Sequence, residues 1–380
     1  RLLLAQGQHI EDRVRDTHIA VSDRVFDAIG PIAAPVRTLH DQLGHTVHGA
    51  VRQGIGVVGQ LAARVASQVD DELVADTAGG RATIGVVLGL VGSSIRETEP
   101  DLDWPTTLLD IDGTVLAAFG GAHATPLRTS EVVVLLHGLC ETEQAWRWGT
   151  GLTRPSIPDR LAAPDRTIVL ARVNSGRRPA EVGAELAHVL AAIDSDAVQR
   201  VVLVGHSMGG LLARAAVRSA VADGFGWVER CDTLITVGTP HLGAPLEQAV
   251  EVLVRAGAMA REVDAITSWF EQRADGVRDL RHGTITDDVA PGQPAPTVSL
   301  PAHVAMHTVG STLRQPVLAA LAGDGLVKHD SAHAVGRPDI ALRRGPSLHL
   351  TGRSHFDLLA DPQVGAHLAA IVDAAPTTPS

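Results

Sequence analysis

Apolar residues recur with a helical period over the first hundred positions. From Val36 to Leu73 they fall at Leu39, Leu43, Val47, Val51, Ile55, Val58, Leu61, Val65 and Val69, a spacing of about 3.7 that lines one helical face. Gly54, Gly56 and Gly59 interrupt this stripe and predict a kink or a close helix crossing there. Ile10, Val14, Val21, Val25 and Ile29 mark a shorter helix before it, "GPIAAP" at 30–35 breaks the two, and Ala82 to Ile95 reads as a third. A helical hairpin is therefore expected within an N-terminal helical region, residues 1–100.

After Trp104 the period shortens. "TTLLDIDGTVLAAF" places an Asp-Gly turn between two apolar runs, which signals a β-hairpin. Short apolar strands follow at 132–136, 167–171, 200–204, 233–238, 303–309 and 347–351, alternating with helical stretches at about 179–193, 208–222, 312–322 and 356–373. Such alternation predicts an α/β domain over 101–375, with a mostly parallel sheet covered by helices on both faces. One interval is too long for a crossover. Between Pro245 and Pro301 lie a segment with Leu246, Val250, Leu253 and Val254, another with Val263, Ile266, Trp269 and Phe270, and the Pro-rich "APGQPAP". It predicts a helical cap insertion at about 245–300.

Composition narrows the function classes. A formal net charge of −11 with no Lys/Arg-rich run argues against a nucleic-acid partner. The longest uncharged apolar stretch, 82–95, is 14 residues and falls short of the roughly 20 that span a bilayer. Residues 1–100 hold 9 Arg against 12 Asp and Glu, whereas a helix lying on lipid is usually basic. The N-terminal stripe is expected to pack on the rest of the protein, with homodimerisation through it as the alternative. Cys140 should follow one parallel strand and Cys231 precede another, at opposite ends of the sheet. Two free thiols are thus expected, together with a cytoplasmic location. The opening "RLLLAQGQ" lacks the regions of a secretion signal.

The chemistry centres on Gly205-His206-Ser207-Met208-Gly209, a G-x-S-x-G pattern between a predicted strand and a predicted helix. A tight strand-to-helix turn of this kind projects the serine hydroxyl above the sheet edge and needs small neighbours. The serine needs a base, and the base an orienting acid, both on loops after later strands. "GDGLVKHDSAH" at 323–333 offers Asp324, and "HLTGRSHFDLLADP" at 349–362 offers His355 just past the last strand. Rival bases are His349, inside that strand, and His329 and His333; rival acids are Asp330 and Asp357. His206 is too close in sequence to turn back on Ser207 and reads as packing beside it. Two N–H donors should receive the oxyanion. One is Met208 N–H; the other is Leu139 N–H in "LLHGLCETE", with Gly138 giving close approach and His137 bracing the loop.

With "HGL" at 137, "GHSMGG" at 205, "GTPHLGAP" at 238, "DGLV" at 324 and His355 in place, residues 132–360 resemble the α/β-hydrolase superfamily, in particular the bacterial lipase/esterase branch that includes GPI inositol-deacylase-like hydrolases. The resemblance implies Asp324 and His355 as partners of Ser207, and a structural role for His241 in the post-strand turn. It does not extend to residues 1–100. Some lipases of that branch hold structural calcium, but no matching carboxylate set is assigned here, and neither metal nor cofactor is expected. The function expected is a serine hydrolase cleaving small-molecule or lipid carboxylic esters through an acyl-enzyme on Ser207. Trp146, Trp148, Leu242, Trp269 and Phe270 are the candidates for an apolar acyl site. The alternatives are an acyltransferase or thioesterase using the same three residues, and a catalytically silent binding module.

Overall fold

The computed structural model describes residues 103–148, 155–244 and 275–374, and within 81–96 the positions 81, 82, 84, 85, 88, 89, 92, 93, 95 and 96, all helical. The expected third helix falls on those last positions. The earlier stripe, its possible dimer contact and the cap segments around Leu246–Val254 and Val263–Phe270 lie outside the described residues. So do Trp269 and Phe270. The described residues from 82 onward belong to one compact unit.

Among the described residues nine strands build one sheet: β1 (Thr107–Leu109), β2 (Val115–Ala118), β3 (Glu131–Leu136), β4 (Arg166–Arg172), β5 (Arg200–His206), β6 (Cys231–Val237), β7 (Ala305–Thr312), β8 (Arg343–Arg344) and β9 (Leu348–Thr351). Their order is β2-β1-β4-β3-β5-β6-β7-β8, with β9 also paired to β7. β1 and β2 are antiparallel, β1 runs antiparallel to β4, and every pairing from β4 onward is parallel. At the hairpin, the Asp110 carboxylate accepts from the N–H groups of Asp112 and Thr114, and Gly113 closes the turn at φ +90°.

Among the described residues from 103 onward, the α-helices are α1 (Ile157–Leu161), α2 (Pro179–Ile193), α3 (Met208–Asp223), α4 (Asp275–Leu280), α5 (Pro316–Ala322), α6 (His329–Ala332) and α7 (Pro362–Val372). The apolar runs of the central strands split by parity. Val132, Val134, Leu136, Val201 and Leu203 point into a core with Val182, Leu186, Leu211 and Leu212 of α2 and α3. Val133, Leu135, Val202 and Val204 point into a second core with Ile157, Leu161, Val364 and Leu368 of α1 and α7. A strand buried on both faces needs apolar residues at every position, which is why these runs do not alternate.

Two helix boundaries differ from the sequence pattern. β7 continues to Thr312, so the next helix starts only at Pro316, where proline suits the first turn. The expected helix at 356–373 is divided: Phe356–Leu359 is a short 3₁₀ turn, and α7 starts afresh at Pro362 because a proline inside a helix cannot donate its N–H. The Asp361 side chain caps α7 by accepting from Gln363 N–H at 2.8 Å. Cys140 follows β3 and Cys231 opens β6, and both thiols are free.

Candidate active site

Ser207 stands between β5 and α3 with φ +52° and ψ −124°. A non-glycine residue rarely adopts this backbone, and the surroundings must hold it there. Ser207 N–H donates to Val237 O at 2.8 Å, fixing the turn against β6. The flanking glycines are required for space: a Cβ on Gly205 would overlap the backbone of Gly209 and Gly210, and one on Gly209 would overlap Leu136 O.

Asp324 and His355 meet. The Asp324 Oδ2 lies 2.8 Å from His355 Nδ1, and His355 N–H donates to Asp324 O at 3.0 Å. Both side chains are buried. The other carboxylate oxygen, Oδ1, accepts from Leu326 N–H at 3.0 Å and Val327 N–H at 2.8 Å, a turn made between Gly323 at φ +63° and Gly325 at φ +107°. Burial opposes the charged imidazole of His355, but the charge and hydrogen bond of Asp324, and beyond them the charge of Glu141, raise its pKa above the ordinary 6.5. Its Nε2 is buried without a hydrogen-bond partner among the described residues.

Two contacts set His355 against the elbow. The His206 and His355 rings are 4.9 Å apart, and His206 Nε2 is 3.4 Å from His355 O. On the other side Gly238, directly after the strand that holds Ser207 N–H, has φ +62°, and a Cβ there would come within 3.0 Å of His355 Cε1. Only glycine meets both demands without strain. The structure thus joins Asp324 to His355 and seats His355 beside the turn of Ser207, with the Ser207 hydroxyl not hydrogen-bonded to Nε2. Catalytic hydrogen bonds often tighten only when substrate binds.

The loop after β3 supplies the second donor candidate. Gly138 N–H donates to Glu141 Oε2 at 2.7 Å, Cys140 N–H to Ser175 Oγ at 3.0 Å, and Glu141 N–H to Gly138 O at 3.3 Å. Leu139 N–H has no partner among the described residues, and the same is true of Met208 N–H at the start of α3. The loop lies close to the serine, since a Cβ on Gly138 would come within 2.9 Å of Ser207 Cβ. His137 is buried, and its Nε2 accepts from Val173 N–H at 3.2 Å, so the proton sits on Nδ1 and is donated to Gly138 O at 2.9 Å.

Glu141 is the residue that sequence reasoning missed. It is 4% exposed, and its Oε2 accepts from Gly138 N–H and lies 3.0 Å from His206 Nδ1, linking the loop to the elbow. Burial raises its pKa, but the attraction of His206, the hydrogen bond to it and Gly138 N–H bring it below the ordinary carboxylate value. The first Glu of "LCETE" carries no local signal of this bridge, which depends on β3 and β5 being neighbours.

The other candidates separate. Trp146, on a short 3₁₀ turn (Glu143–Arg147), is wholly buried in the second core. Leu242 is half-buried against the first core. Trp148 is 43% exposed and its ring centroid lies 6.0 Å from that of Phe356, which is itself 48% exposed and 5.5 Å from the His355 ring. His241 is buried, with Nε2 3.1 Å from Thr236 Oγ1, and burial together with Arg214 holds its pKa well below 6.5. Of the rival acids, Asp357 accepts from Ser354 N–H at 2.8 Å. Burial, with the nearby Glu141, pushes the Cys140 thiol up to about 12, and burial likewise pushes Cys231 to about 12, so neither is a ready nucleophile.

Residues 186–268 match the family described as a PGAP1-like alpha/beta domain. No curated protein sequence is significantly similar to the chain. Among solved structures it is similar to the mature lipase BlEst2 of Bacillus licheniformis, at 17% identity over 67% of this chain and 96% of that one, with a TM-score of 0.41. RedJ, a thioesterase of the prodiginine pathway in Streptomyces coelicolor, is 19% identical over 66% and 94%, with a TM-score of 0.39. An alpha/beta hydrolase fold protein from Chitinophaga pinensis is 12% identical over 72% and 98%, with a TM-score of 0.40.

Proposed function

We propose that the chain is a member of the α/β-hydrolase superfamily and a serine hydrolase of carboxylic esters, of the lipase/esterase kind, with Ser207, His355 and Asp324 as its catalytic residues. The observation that carries this reading is His355 itself. Its Nδ1 is held by a buried carboxylate, its Nε2 is buried without a partner among the described residues, and it sits against a serine in a strained elbow.

In the proposed reaction Ser207 Oγ attacks the ester carbonyl carbon as His355 Nε2 takes its proton. Asp324 holds the resulting imidazolium in orientation. The carbonyl oxygen becomes an oxyanion that receives Leu139 N–H and Met208 N–H, both without a partner among the described residues. Collapse expels the alcohol, protonated by His355, and leaves an acyl-enzyme. Water, deprotonated by the same imidazole, then attacks the acyl carbon and frees the acid and Ser207. No metal or cofactor enters these steps. Trp148 and Phe356, exposed beside the base, offer an apolar surface for the acyl chain, with Leu242 as a further candidate.

Hydrolysis of p-nitrophenyl esters from acetyl to palmitoyl, with Ser207→Ala as control, tests the proposal. Turnover by the wild type, its loss in the variant and labelling of Ser207 by a fluorophosphonate are expected. Retained turnover in Ser207→Ala overturns the assignment, and absence of labelling favours a silent module. An assay with added alcohol or thioester distinguishes acyl transfer and thioester cleavage. Among the described residues no helix is long and apolar enough to cross a membrane.

A further inference from the structure

We propose that His329, His333 and His349 form a binding site for one divalent transition-metal ion of the zinc class, which ties the segment following Asp324 to strand β9. The three side chains each offer one ring nitrogen, and these nitrogens all lie within 4.8 Å of one another. His329 Nδ1 and His333 Nε2 are each 3.2 Å from His349 Nδ1. Zinc–imidazole bonds of about 2.0–2.1 Å in a tetrahedron place ligand nitrogens roughly 3.3–3.4 Å apart. Two of the three edges therefore already have the required length, and a small rotation of the exposed His329 ring closes the third.

The backbone brings these residues together by two routes. His333 N–H donates to His329 O at 3.0 Å, so the two rings leave one helical turn in an H-x₃-H spacing suited to zinc. His349 stands on β9, in register with Gly310 of β7. The glycine leaves room for the rings, since a Cβ on Gly310 would come within 2.7 Å of His333 Nε2.

Ordinary hydrogen bonding accounts poorly for this convergence. An imidazole nitrogen carries one proton or one lone pair, yet His349 Nδ1 faces two ring nitrogens at equal distance. A cation instead accepts three lone pairs at once. The outer nitrogens have the partners such ligands need: Thr308 Oγ1 lies 2.8 Å from His333 Nδ1 and Thr312 Oγ1 lies 3.3 Å from His349 Nε2. Positions 308, 310 and 312 share one face of β7, so the two hydroxyls and the glycine sit under the cluster together. These hydroxyls direct the inner nitrogens inward, as partners of zinc-bound histidines do. His329 and His349 are exposed and His333 half-buried, which leaves a fourth position for water. Imidazole ligands suit zinc, copper, nickel or iron rather than calcium or magnesium. Arg344 donates to His333 O at 3.0 Å, so the ion must tolerate that charge nearby.

An ion there would cross-link residues 329 and 333 to 349, between the loop of Asp324 and the strand that leads to His355. That consequence rests on the proposed catalytic reading, whereas binding does not. The test uses the full chain, stripped with chelator and dialysed, titrated with Zn²⁺ against a chromophoric chelator and by calorimetry. One ion per chain and a higher melting temperature with Zn²⁺ are expected, and His329→Asn, His333→Asn or His349→Asn should each weaken binding at least about tenfold. Melting of the metal-free variants reports whether they fold, and His329→Asn, at an exposed position, supplies the comparison if the others do not. Absence of stoichiometric binding, or binding that folded variants retain unchanged, overturns the proposal. The Ser207→Ala protein should bind Zn²⁺ as the wild type does, so a failed esterase assay leaves this result standing.

Discussion

His206 Nδ1 lies 3.0 Å from Glu141 Oε2, and the same oxygen accepts Gly138 N–H at 2.7 Å. One buried carboxylate thereby connects the residue before Ser207 to the loop that presents Leu139 N–H. Glu141→Ala removes the acceptor of both donors, and a buried unpaired group costs about 1–3 kcal/mol. A loss of stability of that size, measured by urea unfolding, is expected together with a fall in kcat. Glu141→Gln keeps one acceptor oxygen and should recover part of both. Unchanged kcat in a folded Glu141→Ala protein would show that the bridge does not position the loop.

Asp324→Asn leaves the shape of the acid but reverses its relation to His355. The carboxamide can donate to Nδ1 and favour the tautomer with the proton on Nε2, which cannot accept from Ser207. The fall in kcat at pH 8 should be about 10²–10⁴-fold, in the range of the serine-protease precedent. A fall below tenfold points to Asp330 or Asp357 instead.

With His355 as the proposed base, its raised pKa should set the acid limb of the pH profile. Burial opposes the imidazolium, but Asp324 and Glu141 outweigh it. The base works only when neutral, so kcat/KM should drop as pH falls through a value above the ordinary 6.5. For stability the sign is opposite: a folded pKa above the unfolded one means the Asp324–His355 contribution is complete below 6.5 and lost as pH rises through the folded value. In Asp324→Asn the limb should move to lower pH. A limb below 6.5 in the wild type contradicts the electrostatic picture.

At Gly209 a methyl group would meet Leu136 O and His137 O. Gly209→Ala should destabilise by about 1–3 kcal/mol through overpacking, although alanine is the better helix former by about 1 kcal/mol. Activity should fall with it, since the displaced backbone carries the loop of Leu139. Thermal melting and kcat on one ester decide the point; an equally stable, fully active protein would mean that the elbow can shift at no cost.

Trp148 and Phe356 are exposed with their rings 6.0 Å apart beside His355. Trp148→Ala should raise KM for an octanoyl ester more than for an acetyl ester, by roughly fivefold, equivalent to about 1 kcal/mol of aromatic contact. An equal change on both esters removes the pair from the acyl site.

The sequence by itself determined what depends on near neighbours in the chain. Apolar runs located the main strands, α2 spans Pro179–Ile193 where the periodicity placed it, and the glycines around Ser207 marked the turn because steric crowding there is local. The order of "HGL", "GHSMGG", "DGLV" and His355 suggested a site through the known logic of such motifs. The tertiary structure decided what depends on strand order. β5 lies beside β3, and that neighbourhood brings Glu141 to His206. Two tryptophans with one residue between them, Trp146 and Trp148, part company because one is packed wholly into the second core and the other is left 43% exposed. His349 read as a strand residue, and His329 and His333 as rival bases; only the pairing of β9 with β7 sets all three nitrogens facing one point. A distance between side chains far apart in sequence is fixed by how the chain folds back, and local periodicity carries no record of it.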